Sequence, residues 1–265
     1  MVEVTFAQLQ AWILAFLWPF ARITAFLAAS PLWGHSSVPN QAKVGLAALV
    51  AMVIAPTIAL PDVPLVSWAG FGIMVEQMLI GIAIGLVMHV TFAVVQATGE
   101  FIGLQMGLAF ATFFDPSSGT NMVVLSRYLY MITLLMFLAF NGHLIVLEIL
   151  ATSFDTLPLG LGGFNAGGFE MLARYGGTIF MSGMLLALPL VGSLLIINLS
   201  MGILNRSAPQ LTVFNIGFPT SLTVGLALMT VLMTDIGRFL QGLFSSALMF
   251  MQELLEALAP LPAPA

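Results

Sequence analysis

The chain has 265 residues, of which 60% are hydrophobic and only 6% are charged, and its mean hydropathy is +1.09. Globular domains carry about 25% charged residues, so this composition excludes a water-soluble domain and favours a membrane protein. Its 11 acidic and 6 basic residues are thinly spread, which excludes a nucleic-acid surface, and the absence of cysteine excludes disulfides, thiol catalysis and thiolate metal sites.

Apolar windows of about 20 residues, the length that crosses a bilayer as a helix, recur along the chain. They fall at 5–29, 44–60, 68–96, 122–150, 176–204 and 221–250. The sequence therefore predicts an all-α polytopic membrane protein with about six long apolar helical segments. Helix breakers lie between the windows, and the five glycines of 157–168 predict a flexible loop there.

The third window continues into a glycine-patterned segment. Gly99, Gly103 and Gly107 recur every four residues on one helical face, and Gly81 and Gly85 repeat the spacing upstream. Small residues at this spacing let helix backbones approach closely. We interpret these faces as contacts with protein rather than lipid; the alternative is that glycine is simply common in membrane helices.

Several ionisable residues lie inside the apolar windows, and the candidates for a function are Arg22, Glu76, His89, Glu148 and Asp235. Charge in hydrocarbon is unfavourable, so such residues usually mark a pair or a pathway. We interpret Arg22, Glu76, Glu148 and Asp235 as buried charge pairs or subunit-contact charges. The alternative is a stand-alone proton-coupled secondary transporter with a relay through Glu76, His89 and Glu148, but the sequence shows no internal repeat or paired broken helices.

The segment 99–122 contains a methionine and phenylalanine cluster just before the turn-forming pair Asp115-Pro116. The cluster comprises Met106, Phe110, Phe113 and Phe114. A flexible methionine and rigid rings at the end of a glycine-lined helix are suited to an apolar constriction that gates by excluding water. The alternative is ordinary core packing.

The segment 205–219, NRSAPQLTVFNIGFP, mixes polar and apolar residues. Pro209 and Pro219 bracket a stretch that cannot be a continuous helix. Its five large apolar residues would not be needed in a solvated loop, so we interpret the segment as a loop packed against a partner protein. The chain contains no nucleophile elbow, phosphate loop, HExxH motif or dinucleotide fingerprint, which leaves an enzymatic activity without support.

With these features, the sequence resembles the FliR family of flagellar export-gate proteins, which includes injectisome counterparts. The resemblance covers essentially the whole chain. It rests on Arg22 followed by Pro31 and Pro39, on GEFIGLQMG at 99–107, on Asp115-Pro116, and above all on RSAPQLTVFNIGFP at 206–219. It implies a non-enzymatic, pore-forming core subunit of the flagellar type III protein export gate, without metal or cofactor.

The same resemblance implies a single membrane domain over 1–265, built of helical hairpins, with a FliP-like part at about 1–170 and a FliQ-like part at about 171–265. The implied location is the bacterial inner membrane, within the flagellar basal body and partly on its periplasmic side. The implied partners are FliP, FliQ, FlhB and FlhA, unfolded flagellar export substrates, and membrane lipid.

The resemblance also implies two sets of site residues. A plug or gate is assigned to Met106, Leu108, Phe110, Phe113 and Phe114. Subunit contacts are assigned to Gly99, Glu100, Gly103, Gly107, Arg206, Pro209, Gln210, Phe214, Gly217 and Pro219.

Overall fold

The computed structural model describes residues 6–61, 63–64, 67–108, 124–160, 162–207 and 216–260. In these ranges the regular elements are helical, which confirms the all-α prediction. They are α1 (Phe6–Ala29), α2 (Asn40–Ile54) followed by a 3-10 turn (Ala55–Thr57), α3 (Trp68–Gln105), α4 (Val124–Ala139), α5 (Gly142–Thr156), α6 (Ala166–Tyr175), α7 (Thr178–Ser207) and α8 (Phe218–Leu258).

Five stretches of the described chain are helical, long and apolar enough to cross a membrane, and a sixth arises if α4 and α5 count as one broken span. This confirms the predicted number. α3 has 38 residues and α8 has 41. At 1.5 Å per residue both exceed the hydrocarbon thickness of about 30 Å, so each extends beyond a single crossing.

The apolar window 122–150 is not one helix. α4 ends at Ala139 and α5 begins at Gly142, with a short break between them. Asn141 lies in that break with φ 56° and ψ 21°, the left-handed conformation that asparagine adopts more readily than most residues, and Gly142 follows it. The interruption of the helix therefore has a local cause in the Asn141-Gly142 pair.

The chain divides into two compact units that alternate along the sequence. Unit 1 comprises Met1–Val90, Asn141–Gly176 and Ser245–Ala265; unit 2 comprises Thr91–Phe140 and Gly177–Phe244. These compact units do not test the predicted division into FliP-like and FliQ-like parts near residue 170, which rests on the family resemblance. That division stays a prediction.

Unit 1 has a core formed by Leu14, Trp18, Ile73, Phe154 and Leu159. Its predicted glycine-rich loop is shorter than expected because α6 already begins at Ala166. Asn165 caps that helix, since its side-chain oxygen accepts a hydrogen bond of 3.0 Å from the backbone N–H of Gly167.

Unit 2 has a core of interlocking aromatic rings. The ring of Phe137 meets those of Phe92 and Phe244 edge to face, at centroid distances of 5.5 Å and 5.1 Å. Tyr130 contacts Phe92, and Phe140 contacts Phe244. Edge-to-face pairs of this kind add stability beyond the burial of their area.

Candidate functional site

Arg22 is fully buried in unit 1 and connects three parts of it. From α1, its guanidinium donates to Gln77 Oε1 of α3 at 2.8 Å, to Ser153 Oγ of α5 at 2.9 Å and to the backbone oxygen of Leu157 at 2.7 Å. The guanidinium carbon also lies 3.9 Å from the centroid of the Phe154 ring. The buried charge is thus satisfied by hydrogen bonds and a ring face.

Arg22 therefore forms no charge pair within the described residues, and the interpretation of Glu76, Glu148 and Asp235 as subunit-contact charges stays a prediction. Arg22 is buried, as predicted, but its hydrogen-bond partners are neutral groups. Within the chain Glu76 is half-buried, whereas Glu148 and Asp235 are exposed. The ion pair that the described residues do contain joins Arg174 and Glu170 at 2.7 Å on the surface of α6.

Two glycines in the first half of α3, Gly81 and Gly85, let α1 pack closely against this helix. Gln77, Gly81 and Gly85 follow one another at intervals of four residues on one face of α3. A β-carbon at Gly81 would overlap the carbonyl oxygen of Arg22, and one at Gly85 would lie 2.6 Å from the β-carbon of Ala29. The predicted protein contact of this face is confirmed, and the contacting protein is the chain itself.

Gly99 makes a similar contact in unit 2. A β-carbon there would overlap the backbone of Ser126 in α4, and Ser126 Oγ donates to the Gln96 carbonyl oxygen at 2.8 Å. Gly99 is therefore buried against the chain's own helix, which corrects its assignment to a contact with another subunit. The adjacent Glu100 is exposed and free for such a contact.

The last glycines of the pattern end α3. Gly107 has φ 79°, a left-handed value that glycine adopts without strain. The backbone N–H of Leu108 donates to Gly103 O at 2.9 Å and that of Gly107 to Leu104 O at 3.1 Å, the two bonds of a Schellman motif. Gly107 thus terminates the helix, a role that the four-residue spacing did not indicate.

Met106 is packed inside unit 2 rather than exposed. Its side chain is 1% exposed and lies against Gly225 of α8, where a β-carbon would be 2.9 Å from the methionine sulfur and 2.6 Å from its γ-carbon. This packing corrects the expectation that Met106 contributes to an apolar seal. Leu108 is half-buried, and Phe110, Phe113 and Phe114 lie outside the described residues.

The second predicted contact segment is described only at its two ends. Arg206 is exposed in the last turn of α7, Gly217 is buried, and Pro219 is exposed in the first turn of α8. Pro209, Gln210 and Phe214 lie outside the described residues. The exposed ends leave Arg206 and Pro219 accessible to another protein.

Unit 1 contains a cavity of about 100 Å³ whose lining includes Gln77 and Leu157, two hydrogen-bond partners of Arg22. It is lined by Glu76, Gln77, Ile80, Pro260 and several residues of 157–164, and the buried Gln77 Nε2 has no hydrogen-bond partner. Gln77 and Ser153 were not predicted from the sequence; the detectable signal was an amide one residue after Glu76 in an apolar window. Among the residues that the structure describes, no three His, Asp or Glu side chains could together hold a metal ion.

Much of the apolar surface of α7 is not covered by the chain. Large side chains along the helix are exposed by half or more, including Phe180, Met181, Leu185, Leu188, Leu195, Ile196, Leu199 and Ile203. Contiguous apolar surface of this extent marks contact with lipid or with other proteins. The fold and this surface define a helical polytopic membrane protein.

Comparison with known proteins identifies the family. Residues 13–247 match the model of "Bacterial export proteins, family 1", and the chain belongs to this family. It is 45% identical to the flagellar biosynthetic protein FliR of Escherichia coli (strain K12), across 97% of the chain and 99% of that protein. It is 30% identical to FliR of Bacillus subtilis (strain 168), across 91% and 94% respectively. These relatives confirm the resemblance to the FliR family.

Proposed function

We propose that the chain is a pore-forming core subunit of the flagellar type III protein export gate, assembled with FliP and FliQ and contacted by FlhB and FlhA. Unfolded flagellar substrates pass through the assembled pore, and the chain itself has no catalytic role. The observation that carries the proposal is the match to flagellar FliR proteins over nearly the whole chain. In this proposal the gate lies in the inner membrane of the basal body and partly on its periplasmic side.

The uncovered apolar surface of α7 supports assembly. A helix that is apolar along its length needs lipid or protein around it. In an 18-residue apolar window of Ala166–Ser207 only 22% of the residues are buried inside the chain, against 61% in the corresponding window of Trp68–Gln105. FliQ and FliP, and lipid where they leave gaps, are the proposed covering for α7, in keeping with a FliP-like part before residue 170 and a FliQ-like part after it.

Phe110 and Phe113 are the proposed plug, with Phe114 and Leu108 beside them. The double substitution Phe110→Ala and Phe113→Ala should make membranes that contain the assembled complex leaky to small ions, because two rings that exclude water are removed. Phe71→Ala, which changes a 60%-exposed ring of α3, is the control. Unchanged permeability in a fully assembled complex would reject the plug.

Arg206, Pro219 and the residues between them are the proposed contact with FliP and FliQ, together with Glu100. Arg206→Glu should abolish co-purification of FliP and FliQ, because reversing the charge at an interface introduces repulsion or an unpaired charge. The matched control is Arg238→Glu, at another exposed cation. An intact complex with normal export in the Arg206 variant would refute this contact.

Purification distinguishes the proposal from the stand-alone proton-coupled transporter. A gate subunit should be obtained stably only with its partners, whereas a transporter should be stable and active alone. A pull-down from membranes followed by mass spectrometry should recover FliP and FliQ. Recovery of a lone, folded chain with proton-coupled uptake would favour the transporter.

A further inference from the structure

A side chain of α7 connects the end of α3 to α8. Asn198 Nδ2 donates to the backbone oxygen of Gln105 at 3.4 Å, and Asn198 Oδ1 accepts from Ser221 Oγ at 2.8 Å. Gln105 is the last residue of α3, and Ser221 lies in the first turn of α8. One amide therefore joins three helices of unit 2.

The hydrogen bond to Gln105 meets a need at the helix end. The last four carbonyl groups of a helix have no donor within it. The Schellman motif supplies donors to Gly103 and Leu104. Asn198 supplies a donor to the next of these carbonyls, which would otherwise have to find one outside the protein.

Asn198 is also unusual in its own helix. It lies in an apolar run of α7, where an amide is unfavourable unless its donor and acceptor both find partners. The carbonyl of Gln105 and the hydroxyl of Ser221 provide one partner for each function. The amide is therefore matched to this junction rather than to lipid.

A second, apolar contact holds Met106, the residue after Gln105, against Gly225 of α8. Gly225 follows Ser221 by four residues and so lies on the same face of α8. Its missing side chain leaves the space that Met106 fills. Two successive residues at the end of α3 are therefore held in place. Gln105 is held by the hydrogen bond from Asn198, and Met106 is held by its packing against Gly225.

We propose that Asn198 is a positioning residue of the gate: together with Gly225 it fixes the end of α3 to α7 and α8 and thereby sets the position of Leu108. Its purpose in gating rests on the proposed function. The anchoring itself is a local property that can be measured independently of export or permeability.

The absence of cysteine from the chain allows a direct test. With Leu108→Cys as a reporter, the rate of maleimide labelling is measured in membranes that contain the assembled complex, with its partner subunits free of reactive cysteine. Asn198→Leu should raise this rate about fivefold, which corresponds to the net contribution of one neutral hydrogen bond. Gly225→Ala should also raise it, because the new methyl group displaces Met106.

Two controls separate anchoring from general loosening. Ser200→Ala removes a hydroxyl that bonds to Ile196 O of its own helix, and it should leave the rate at Leu108→Cys unchanged. Gly192→Cys, at a position of α7 with open space around it, is the second reporter and should be unaffected by Asn198→Leu.

An unchanged rate at Leu108→Cys, or an equal rise at both reporters, would overturn the proposal. Ser221→Ala removes only the second bond of the bridge and decides the question if Asn198→Leu does not assemble. Its expected effect is a smaller rise at Leu108→Cys alone, and no rise would overturn the proposal. Faster labelling with unchanged membrane permeability would support the anchoring of the end of α3 by Asn198 but reject a role of this anchoring in gating. Failure of the anchoring and failure of the gating role are therefore distinguishable.

Discussion

The guanidinium of Arg22 donates to the backbone oxygen of Leu157 at 2.7 Å, across 135 positions of sequence. This bond holds the residue after α5 to the middle of α1. Arg22→Met keeps most of the side-chain volume but leaves three acceptors without their donor. We expect the free energy of unfolding of the full chain to fall by roughly 3 kcal/mol, since a buried unpaired polar group costs about 1–3 kcal/mol. Denaturant titration in detergent measures the change.

Arg238 provides the comparison for Arg22 because its side chain is exposed. Arg238→Met should change the free energy of unfolding by less than about 0.5 kcal/mol. Equal effects of the two substitutions would mean that the hydrogen bonds of Arg22 contribute nothing to stability.

Gly81→Ala should destabilise the chain even though alanine is the better helix former. The added methyl group meets the backbone of α1, which has no side-chain freedom with which to move away. Overpacking of this kind costs about 1–3 kcal/mol, more than the roughly 1 kcal/mol that the helix gains from alanine.

Gly45→Ala is the matched substitution because nothing lies within 4 Å of a β-carbon at that position of α2. It should raise the free energy of unfolding slightly. Opposite signs for Gly81 and Gly45 are the expected result, and a stabilising effect at both positions would contradict the close approach of α1 and α3.

Gly107 should tolerate asparagine better than alanine. Its φ of 79° is strained for residues with a β-carbon, by about 1–2 kcal/mol, but asparagine enters this conformation more readily. The amount of folded chain that resists limited proteolysis should therefore decrease in the order glycine, asparagine, alanine. Equal resistance of all three variants would be incompatible with the Schellman motif at the end of α3.

Phe137 should be the most sensitive ring of unit 2. It is 1% exposed and contacts both Phe92 and Phe244. Phe137→Ala should lower the free energy of unfolding by about 3–5 kcal/mol, whereas Phe137→Leu should cost less because it fills more of the space.

Phe180→Ala, at a 69%-exposed position of α7, separates stability from assembly. It should leave the stability of the chain nearly unchanged and lower the yield of complex. A large loss of chain stability from this substitution would mean that the ring is packed inside the protein.

Composition and periodicity predicted much of the fold. Apolar windows gave the helical class and the number of spans, because a chain so poor in charge has few other ways to satisfy its backbone in a membrane. The sequence also singled out Arg22 as an ionisable residue within an apolar helix, and it predicted close helix contacts at Gly81 and Gly85.

The partners of these residues were not predictable. Ser153 lies 131 positions from Arg22, and hydrophobicity does not say which apolar helices become neighbours. Spacing alone could not distinguish Gly99, which admits α4, from Gly107, which ends α3. The role of Asn198 could not be predicted either, because it depends on the contacts that α3 and α8 make with its side chain.

Export of flagellar substrates tests the central claim most directly. In a strain from which the gene is deleted, the amount of flagellar substrate in the culture medium is measured with and without the chain supplied from a plasmid. A subunit of the export gate predicts loss of secreted substrate on deletion and its recovery with the wild-type chain. Undiminished secretion by the deletion strain would contradict the account.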